Sequence, residues 1–474
     1  MSRINKNNII IYICFFGLVL RVFFVLVGAK FYFGRENIFV DGDTDAWATC
    51  IENLIEHGSY TMNMNSEYGF FGRMPGMSFL MGFFYLITGK NWDLAYPIIG
   101  WFQTLLDVFT IAIVFSIAKR LFKSLRAASI TAFIYACYPF VIVWTPVVYS
   151  EYISFFLLFS SLYFLIHPER RFNYGWAGAL IGLAALFRPQ LILLFVLFGL
   201  FILYQYRKNI KLAFTNALLF SLMILCTFGL WPARNYINYH KIVLTQDLRG
   251  FPTWNKDVVA YLQYIYSVKA EWEPQFSQII KNETVIMPHE SYISKEDSMM
   301  LTRAIYLSQT CGSGFSSWRG YWKDQITSND CNDSIAYLFN TLRTRVIEHD
   351  PIRFYITIPL LNLKKAIFKL TLTDTSTFVK KAASVLFVYR TLMLLLGLWG
   401  CILMIRRKVY TEMGWLILSF FIVLYIMLCA GTGVQFRNIE MRYFVHPDLM
   451  LLFPASYIIY LFINKYLPKS LSDS

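Results

Sequence analysis

Charged residues are scarce in this sequence. Asp, Glu, Lys and Arg make up 15% of its 474 residues, where a soluble domain carries about a quarter. There is also no Cys-x-x-Cys pair and no Cys/His ladder among the eight cysteines, which argues against a cysteine-built metal site. No phosphate-binding glycine loop and no dinucleotide fingerprint occurs, so a nucleotide-borne substrate has no recognisable cradle. Low-complexity tracts and internal repeats are absent, and the lack of inverted halves counts against a secondary transporter. What remains is apolar: 57% hydrophobic and 18% aromatic residues, with a mean hydropathy of +0.48. The formal net charge of +14 is not a nucleic-acid footprint, because the basic residues sit in short clusters between apolar runs and not on one soluble face.

A membrane-spanning helix needs roughly 20 apolar residues. Runs near 9–28, 95–117, 127–146, 149–167, 174–187, 189–205, 212–231, 384–405, 412–430 and 446–463 meet or approach that length, giving about ten spans. The first run has no clear small-residue cleavage site and reads as an uncleaved anchor. Arg188-Pro189 predicts a turn between two runs, because a proline disfavours helix in the residue before it. The run 75–89 is short and is read as an interfacial or re-entrant helix, or as an extra span with its neighbours shifted. Basic clusters fall on alternate connections: Arg3 and Lys6; Lys119, Arg120, Lys123 and Arg126; Arg170 and Arg171; Arg207, Lys208 and Lys211; Arg406, Arg407 and Lys408; Lys465 and Lys469. That alternation is the positive-inside pattern and predicts cytoplasmic termini. Three regions follow: an N-terminal membrane module 1–231 that includes an external loop 29–94, an external segment 232–383, and a C-terminal membrane module 384–474. In the external segment, periodicity predicts helices over 334–349 and over an amphipathic stretch 352–370 suited to a membrane surface. Cys311 and Cys331 lie there and are placed for a disulfide if the compartment is oxidising.

The first external loop reads FVDGDTDAWATCIENLIEHGSY. Trp47, Ile51, Leu54 and Ile55 recur at helical spacing, so an amphipathic helix is expected from near Thr44 to Gly58, a natural stop. Asp41, Asp43 and Asp45 stand at its start. Asp43 suits an N-cap; a carboxylate there is also placed to take a proton from a hydroxyl nucleophile, or to join its neighbours in holding a divalent metal. Further polar residues cluster at the same predicted face: Arg73, Glu151, Arg188, Arg234, and, before the last span, Arg437, Glu440, Arg442 and His446. Outer-face arginine runs against the positive-inside bias. A sugar phosphate carried on a lipid supplies a reason, since the guanidinium fork matches phosphate oxygens. Arg21 and Asp107 fall inside apolar runs, where an ionisable group is costly and faces the bundle interior.

Taken in order, GDTDAW, HGSY, GRMPGMSFLMGFFYLITG, YPFVIVWTPVVYSEY, GALIGLAALFRPQ, GLWPARNYINYHKIVL, IEHDPIRFY and IEMRYFVHPDLMLL resemble the C-type (GT-C) superfamily of membrane glycosyltransferases. Within it, the chain is similar to bacterial proteins akin to protein O-mannosyltransferases and aminoarabinose transferases. The resemblance implies an all-α polytopic membrane fold of about 10–13 transmembrane helices, with amphipathic external helices and a mainly helical external segment. It implies an enzyme of the bacterial cytoplasmic (inner) membrane whose site faces outward. There a sugar passes, with inversion, from a polyprenyl-phosphate donor to a lipid, glycan or protein hydroxyl. Asp43 matches the loop carboxylate, with Asp41 and Asp45 beside it. Arg73, Arg188, Arg234 and Arg442 map onto phosphate contacts, and Glu151, Glu440, Tyr443 and His446 are further site candidates. The protein-mannosyltransferase branch carries an adjacent Asp-Glu pair where this chain has Asp-Thr-Asp. The aminoarabinose branch tends to a lysine where Arg73 stands. Other readings of the same features are a flippase or transporter of lipid-linked saccharide and a polysaccharide ligase or polymerase.

Overall fold

The computed structural model describes residues 8–170, 172–320, 329–368, 377–431 and 440–466; of the residues named above, Arg3, Lys6, Arg171, Arg437 and Lys469 lie outside this set. All regular structure among the described residues is helical. Six helices are long and apolar enough to cross a membrane: Ile9–Phe33, Trp92–Phe122, Ile210–Thr227, Lys381–Arg406, Thr411–Ala430 and Met441–Tyr466. Shorter apolar helices, Pro75–Ile87, Leu125–Ala136, Ser150–Leu165, Asn173–Phe187 and Pro189–Gln205, pack among them. The protein is an all-α, multi-pass membrane protein.

Three expected elements differ in detail. The run 127–146 is not one span: its helix ends at Ala136 and a short turn of helix, Pro139–Ile142, follows. Pro139 forces Tyr138 into the extended region. The run 212–231 stops at Thr227 and resumes beyond Gly229 as Leu230–Tyr239. The short run at 75–89 is a regular helix packed between Gly42–His57 and Asn173–Phe187. Gly76 allows that approach, since a Cβ there would stand 2.8 Å from the Leu186 carbonyl oxygen. The predicted turn at Arg188-Pro189 is present, with Arg188 extended and Pro189–Ile192 forming a 3-10 turn.

Two buried ion pairs tie the bundle. Arg21 donates from Nε to Asp107 at 2.5 Å and from Nη1 to the carbonyls of Gly17 and Ala136, while the Tyr135 hydroxyl donates to the other oxygen of Asp107 at 2.6 Å. The pairing of Arg21 with Asp107 that the sequence allows is thus made. A second triad repeats the scheme near the C-terminus. Arg390 donates to Asp448 at 2.7 Å, to the Ala366 carbonyl and to the Tyr425 hydroxyl, and Tyr425 donates to Asp448 at 2.6 Å. In both, the guanidinium finds a carboxylate and at least one backbone carbonyl, so its charge is paired within the apolar interior.

The segment 232–383, expected to be external, has its own core. Helices Lys256–Val268, Lys295–Thr310, Ser313–Gly320 and Asn329–His349 bury Tyr261, Ile265, Leu301, Phe315 and Phe339. Cys311 and Cys331 are disulfide-bonded, their Cα atoms 6.0 Å apart. The amphipathic stretch after it, Ile358–Phe368, packs on Thr411–Ala430, where the Asn362 amide donates to the Cys429 carbonyl at 3.1 Å. Its opposite side leaves Leu360 and Leu361 exposed.

Candidate functional site

The first loop is positioned by its own start. Helix Gly42–His57 is capped by Asp41, whose carboxylate accepts from the Gly42 N–H while the Thr44 hydroxyl accepts from the Asp41 N–H. Asp43 is therefore not the cap, as sequence spacing alone allowed; it lies in the first turn with its carboxylate free to point elsewhere. Thr44 also donates to the Val148 carbonyl at 3.1 Å, and the Val148 N–H donates to Phe39. These bonds pin the loop to the turn that precedes Ser150–Leu165. The helix ends at Gly58, which closes it in the left-handed conformation at φ +70°.

Asp43 turns toward arginine. Oδ1 accepts from Arg73 at 2.5 Å and Oδ2 from Arg442 at 2.5 Å, with 20% of the Asp43 side chain exposed. Arg442 also bonds Glu440 at 2.7 Å. Arg188, buried beside them, is ion-paired with Glu151. Three guanidiniums thus face three carboxylates in one cluster drawn from the first loop, two mid-chain helix ends and the last helix. Aromatic rings hold the forks: Arg73 lies 5.0 Å from Trp47 and 4.7 Å from Phe251, and Arg442 lies 5.2 Å from Tyr149 and 5.2 Å from Tyr443. Burial pushes the Asp43 carboxyl upward, but the guanidiniums of Arg442, Arg73 and Arg188 outweigh it and hold the group well below the usual carboxylate range.

The cluster forms one wall of a cavity of about 660 Å³. Its membrane side is apolar, lined by Phe187, Ile192 and Leu193 and by Met427 and Leu428 of a spanning helix. Its far side is built by the external segment through Gln246, Thr253, Trp254, Trp272 and Trp318. An anion with an apolar tail fits that polarity: guanidiniums at the centre and a greasy slot leading into the bundle.

The predicted site residues divide. Asp41, Asp43, Arg73, Arg188, Glu440, Arg442 and Tyr443 all line the cavity. Glu151 reaches it only through Arg188. Asp45 is exposed on another side of the helix, where burial and the charges of Asp41 and Glu52 push its pKa up. Arg234 is elsewhere: it donates to the carbonyls of Phe70 and Tyr60 and to Asn235 and Tyr239. Its donors are spent on fastening the first loop to helix Leu230–Tyr239, which leaves no fork for a phosphate. His446 is buried in the bundle, its Nε2 2.8 Å from the Ser154 hydroxyl. Among the described residues no group of three or more His, Cys, Asp or Glu side chains converges, and both Asp43 oxygens accept from arginine. Cys50, in the same helix, is buried and its thiol is pushed up to about 12, which makes it inert. Sequence reading missed Tyr149, Trp47 and Phe251, which have no signature beyond being aromatic, and the tryptophans of the far wall.

Comparison with known proteins places this geometry. Residues 73–231 match the sequence family described as dolichyl-phosphate-mannose-protein mannosyltransferase. No curated protein sequence matches. Among solved structures, the chain is similar to the archaeal oligosaccharyltransferase AglB from Archaeoglobus fulgidus in complex with an inhibitory peptide and a dolichol-phosphate, at 12% identity and a TM-score of 0.51 over 97% of this chain and 50% of that one. The A. fulgidus oligosaccharyltransferase tethered to an acceptor peptide gives 13% identity and a TM-score of 0.50 over 100% and 51%. ArnT from Cupriavidus metallidurans bound to undecaprenyl phosphate aligns at 15% identity and a TM-score of 0.37 over 95% and 81%. The chain spans about half the length of the oligosaccharyltransferases it matches.

Proposed function

We propose that this chain, which has the GT-C membrane glycosyltransferase fold, transfers a sugar from a polyprenyl-phosphate carrier to an acceptor hydroxyl. The observation that carries the reading is the convergence of Arg73, Arg188 and Arg442 around Asp43 in a cavity whose membrane side is apolar. An oligosaccharyltransferase of this fold is described with a dolichol-phosphate, which supports a lipid-phosphate donor here. In this reading the carrier's tail lies in the slot beside Phe187, Leu193 and Met427, and its phosphate exchanges the carboxylates for the arginines. As the bond from the anomeric carbon to the phosphate oxygen lengthens, the arginines stabilise the charge that gathers on the leaving phosphate. The acceptor oxygen attacks from the opposite face, and its proton passes to Asp43. A carboxylate held at low pKa is a weak base, but a hydroxyl already bonding to an oxocarbenium-like carbon is a strong acid, so late transfer suffices. In this scheme the arginines supply positive charge at the leaving phosphate.

The direct test incubates the purified protein with candidate polyprenyl-phosphate sugars and follows release of the lipid phosphate. Release only when an acceptor is present supports transfer. Movement of intact carrier across a vesicle bilayer, with none cleaved, would point instead to a flippase.

Arg442→Lys tests the donor side. Lysine keeps the charge but lacks the planar fork that can grip two phosphate oxygens at once. A rise in the apparent KM for donor of about tenfold, the size of a lost charge-assisted bond, is expected, with a smaller change in the KM for acceptor. An unaltered donor KM would leave Arg442 as a structural partner of Asp43 alone.

The basic-loop alternation orients the site outward, in the cytoplasmic membrane of a bacterium. A cysteine at Lys281, in a background lacking Cys311 and Cys331, is expected to react with an impermeant thiol reagent on intact cells. Reaction only after permeabilisation would reverse the topology.

A further inference from the structure

The far wall of the cavity has a chemistry of its own. Among the described residues, every charged one lining the cavity — Asp41, Asp43, Arg73, Arg188, Glu440 and Arg442 — belongs to the first loop or the ends of apolar helices, and the segment 232–383 contributes none. It offers three indoles, Trp254, Trp272 and Trp318, and Thr253 and Gln246 line the cavity with them. The indoles are set as a corner: the Trp318 ring stands 6.3 Å from Trp254 at 72° and 6.1 Å from Trp272 at 77°. Trp272 is backed by Phe276 at 4.7 Å, stacked, and the Trp318 indole N–H donates to the Thr253 carbonyl at 2.6 Å. All three tryptophans are half-buried, rooted in the segment's core on one side and lining the cavity on the other.

Three tryptophans at one corner of the cavity form a preorganised surface. Flat aromatic faces with neutral hydroxyl and amide groups around them match one chemistry well. The C–H-bearing faces of a pyranose ring stack on indole, while its equatorial hydroxyls reach amide and hydroxyl partners. Among the described residues this wall offers no charge to a phosphate, a carboxylate or an amine.

We infer that the acceptor is a neutral saccharide, held against the Trp254–Trp272–Trp318 corner so that one of its hydroxyls reaches Asp43. The inference rests on the glycosyl-transfer reading and narrows it. The bond formed is then glycosidic, between the donor's anomeric carbon and a saccharide oxygen; the bond broken is that of the same carbon to the phosphate oxygen, and the hydroxyl proton leaves on Asp43.

The test uses the full detergent-solubilised chain, an array of neutral oligosaccharides, an array of Ser- and Thr-containing peptides, and a polyprenyl phosphate with and without a single hexose. Neutral oligosaccharides are expected to bind. Trp254→Leu and Trp272→Leu, which keep apolar bulk but remove the flat face, are expected to weaken that binding about tenfold, as truncating an anchor aromatic does. Trp254→Phe and Trp272→Phe, which keep a flat face, are expected to stay near the parent and thereby separate stacking from folding. Oligosaccharides that bind neither the parent nor any variant, or that bind the Leu variants as well as the parent, overturn the inference. Peptides that accept sugar while oligosaccharides do not also overturn it, yet leave the transferase reading intact. Leu variants that lose the preference for hexose-bearing over bare polyprenyl phosphate would assign the corner to the donor sugar and overturn it likewise. Failure of the transferase reading looks different: no polyprenyl-phosphate sugar is cleaved under any condition.

Discussion

Asp43→Asn is expected to lower transfer by about 10²- to 10⁴-fold, the usual contribution of a positioned proton acceptor, while the protein still inserts and folds. The helix start survives because its cap is Asp41 and not Asp43. The variant also separates chemistry from structure. Without the carboxylate charge, Arg73 and Arg442 keep their positions in the cavity wall but lose the anion between them, so bare polyprenyl phosphate is expected to bind as well as in the parent or better. Were Asp43 only a strut holding two arginines in place, its loss would weaken lipid-phosphate binding and rate together. Asp41→Asn is the control: asparagine caps a helix as well as aspartate does, and the half-exposed contact with Arg35 at 3.3 Å is worth little. Full activity in a normally expressed Asp43→Asn protein would refute the assignment. The pH profile adds a second check. The carboxyl lies below its ordinary range of about 4, so it stays ionised through that range and the stability it lends is present above it. That stability fades only as pH falls through the depressed value. An acid limb in the binding of bare lipid phosphate between pH 5 and 7 must then come from another group.

Much of this was legible because membrane folding writes in coarse letters. Hydropathy set the order of the spans, and Arg188-Pro189 and Gly58 marked real breaks, since proline and glycine act on the backbone directly. The loop carboxylate and three of four mapped arginines converge, as a shared order of motifs implied. Arg234 misled because its type and position at a helix end are those of a phosphate ligand; only the carbonyls of Tyr60 and Phe70, brought in from over 160 residues away, reveal it as a clamp. Asp43 was weighed as a cap because capping follows from neighbours in sequence, and Asp41 fits the same rule two residues earlier. The tryptophan corner was invisible for a further reason. Trp254, Trp272 and Trp318 come from separate turns and helices, and an aromatic that lines a cavity carries the same letter as one that fills a core. Arg390 and Asp448 were overlooked beside Arg21 and Asp107, although Asp448 stands in the last apolar run, where an acidic residue predicts a partner.

Those two buried triads carry the other large expected effect. Asp107→Leu is expected to destabilise the protein by about 3–5 kcal/mol, the cost of stripping one partner from a buried ion pair. Arg21 is fully buried and Asp107 is 1% exposed, so no water can replace the lost carboxylate. The Gly17 and Ala136 carbonyls that Arg21 also holds solvate the guanidinium but do not cancel its charge, and the Tyr135 hydroxyl loses the carboxylate that accepts from it. Arg21→Met in the same chain removes the stranded charge. The double variant is therefore expected to recover most of the loss, because a well-packed apolar pair replaces a buried ion pair at little net cost. Thermal unfolding in detergent of the parent, both single variants and the double variant closes the cycle. Two single losses that simply add would show that the pair is uncoupled and that Arg21 finds its counter-charge elsewhere. Asp448→Leu with Arg390→Met is expected to follow the same pattern, since Arg390 and Asp448 are as deeply buried and Tyr425 donates to the carboxylate as Tyr135 does. Neither triad lines the cavity, so at a temperature where the double variants are folded, their transfer activity is expected to match the parent's.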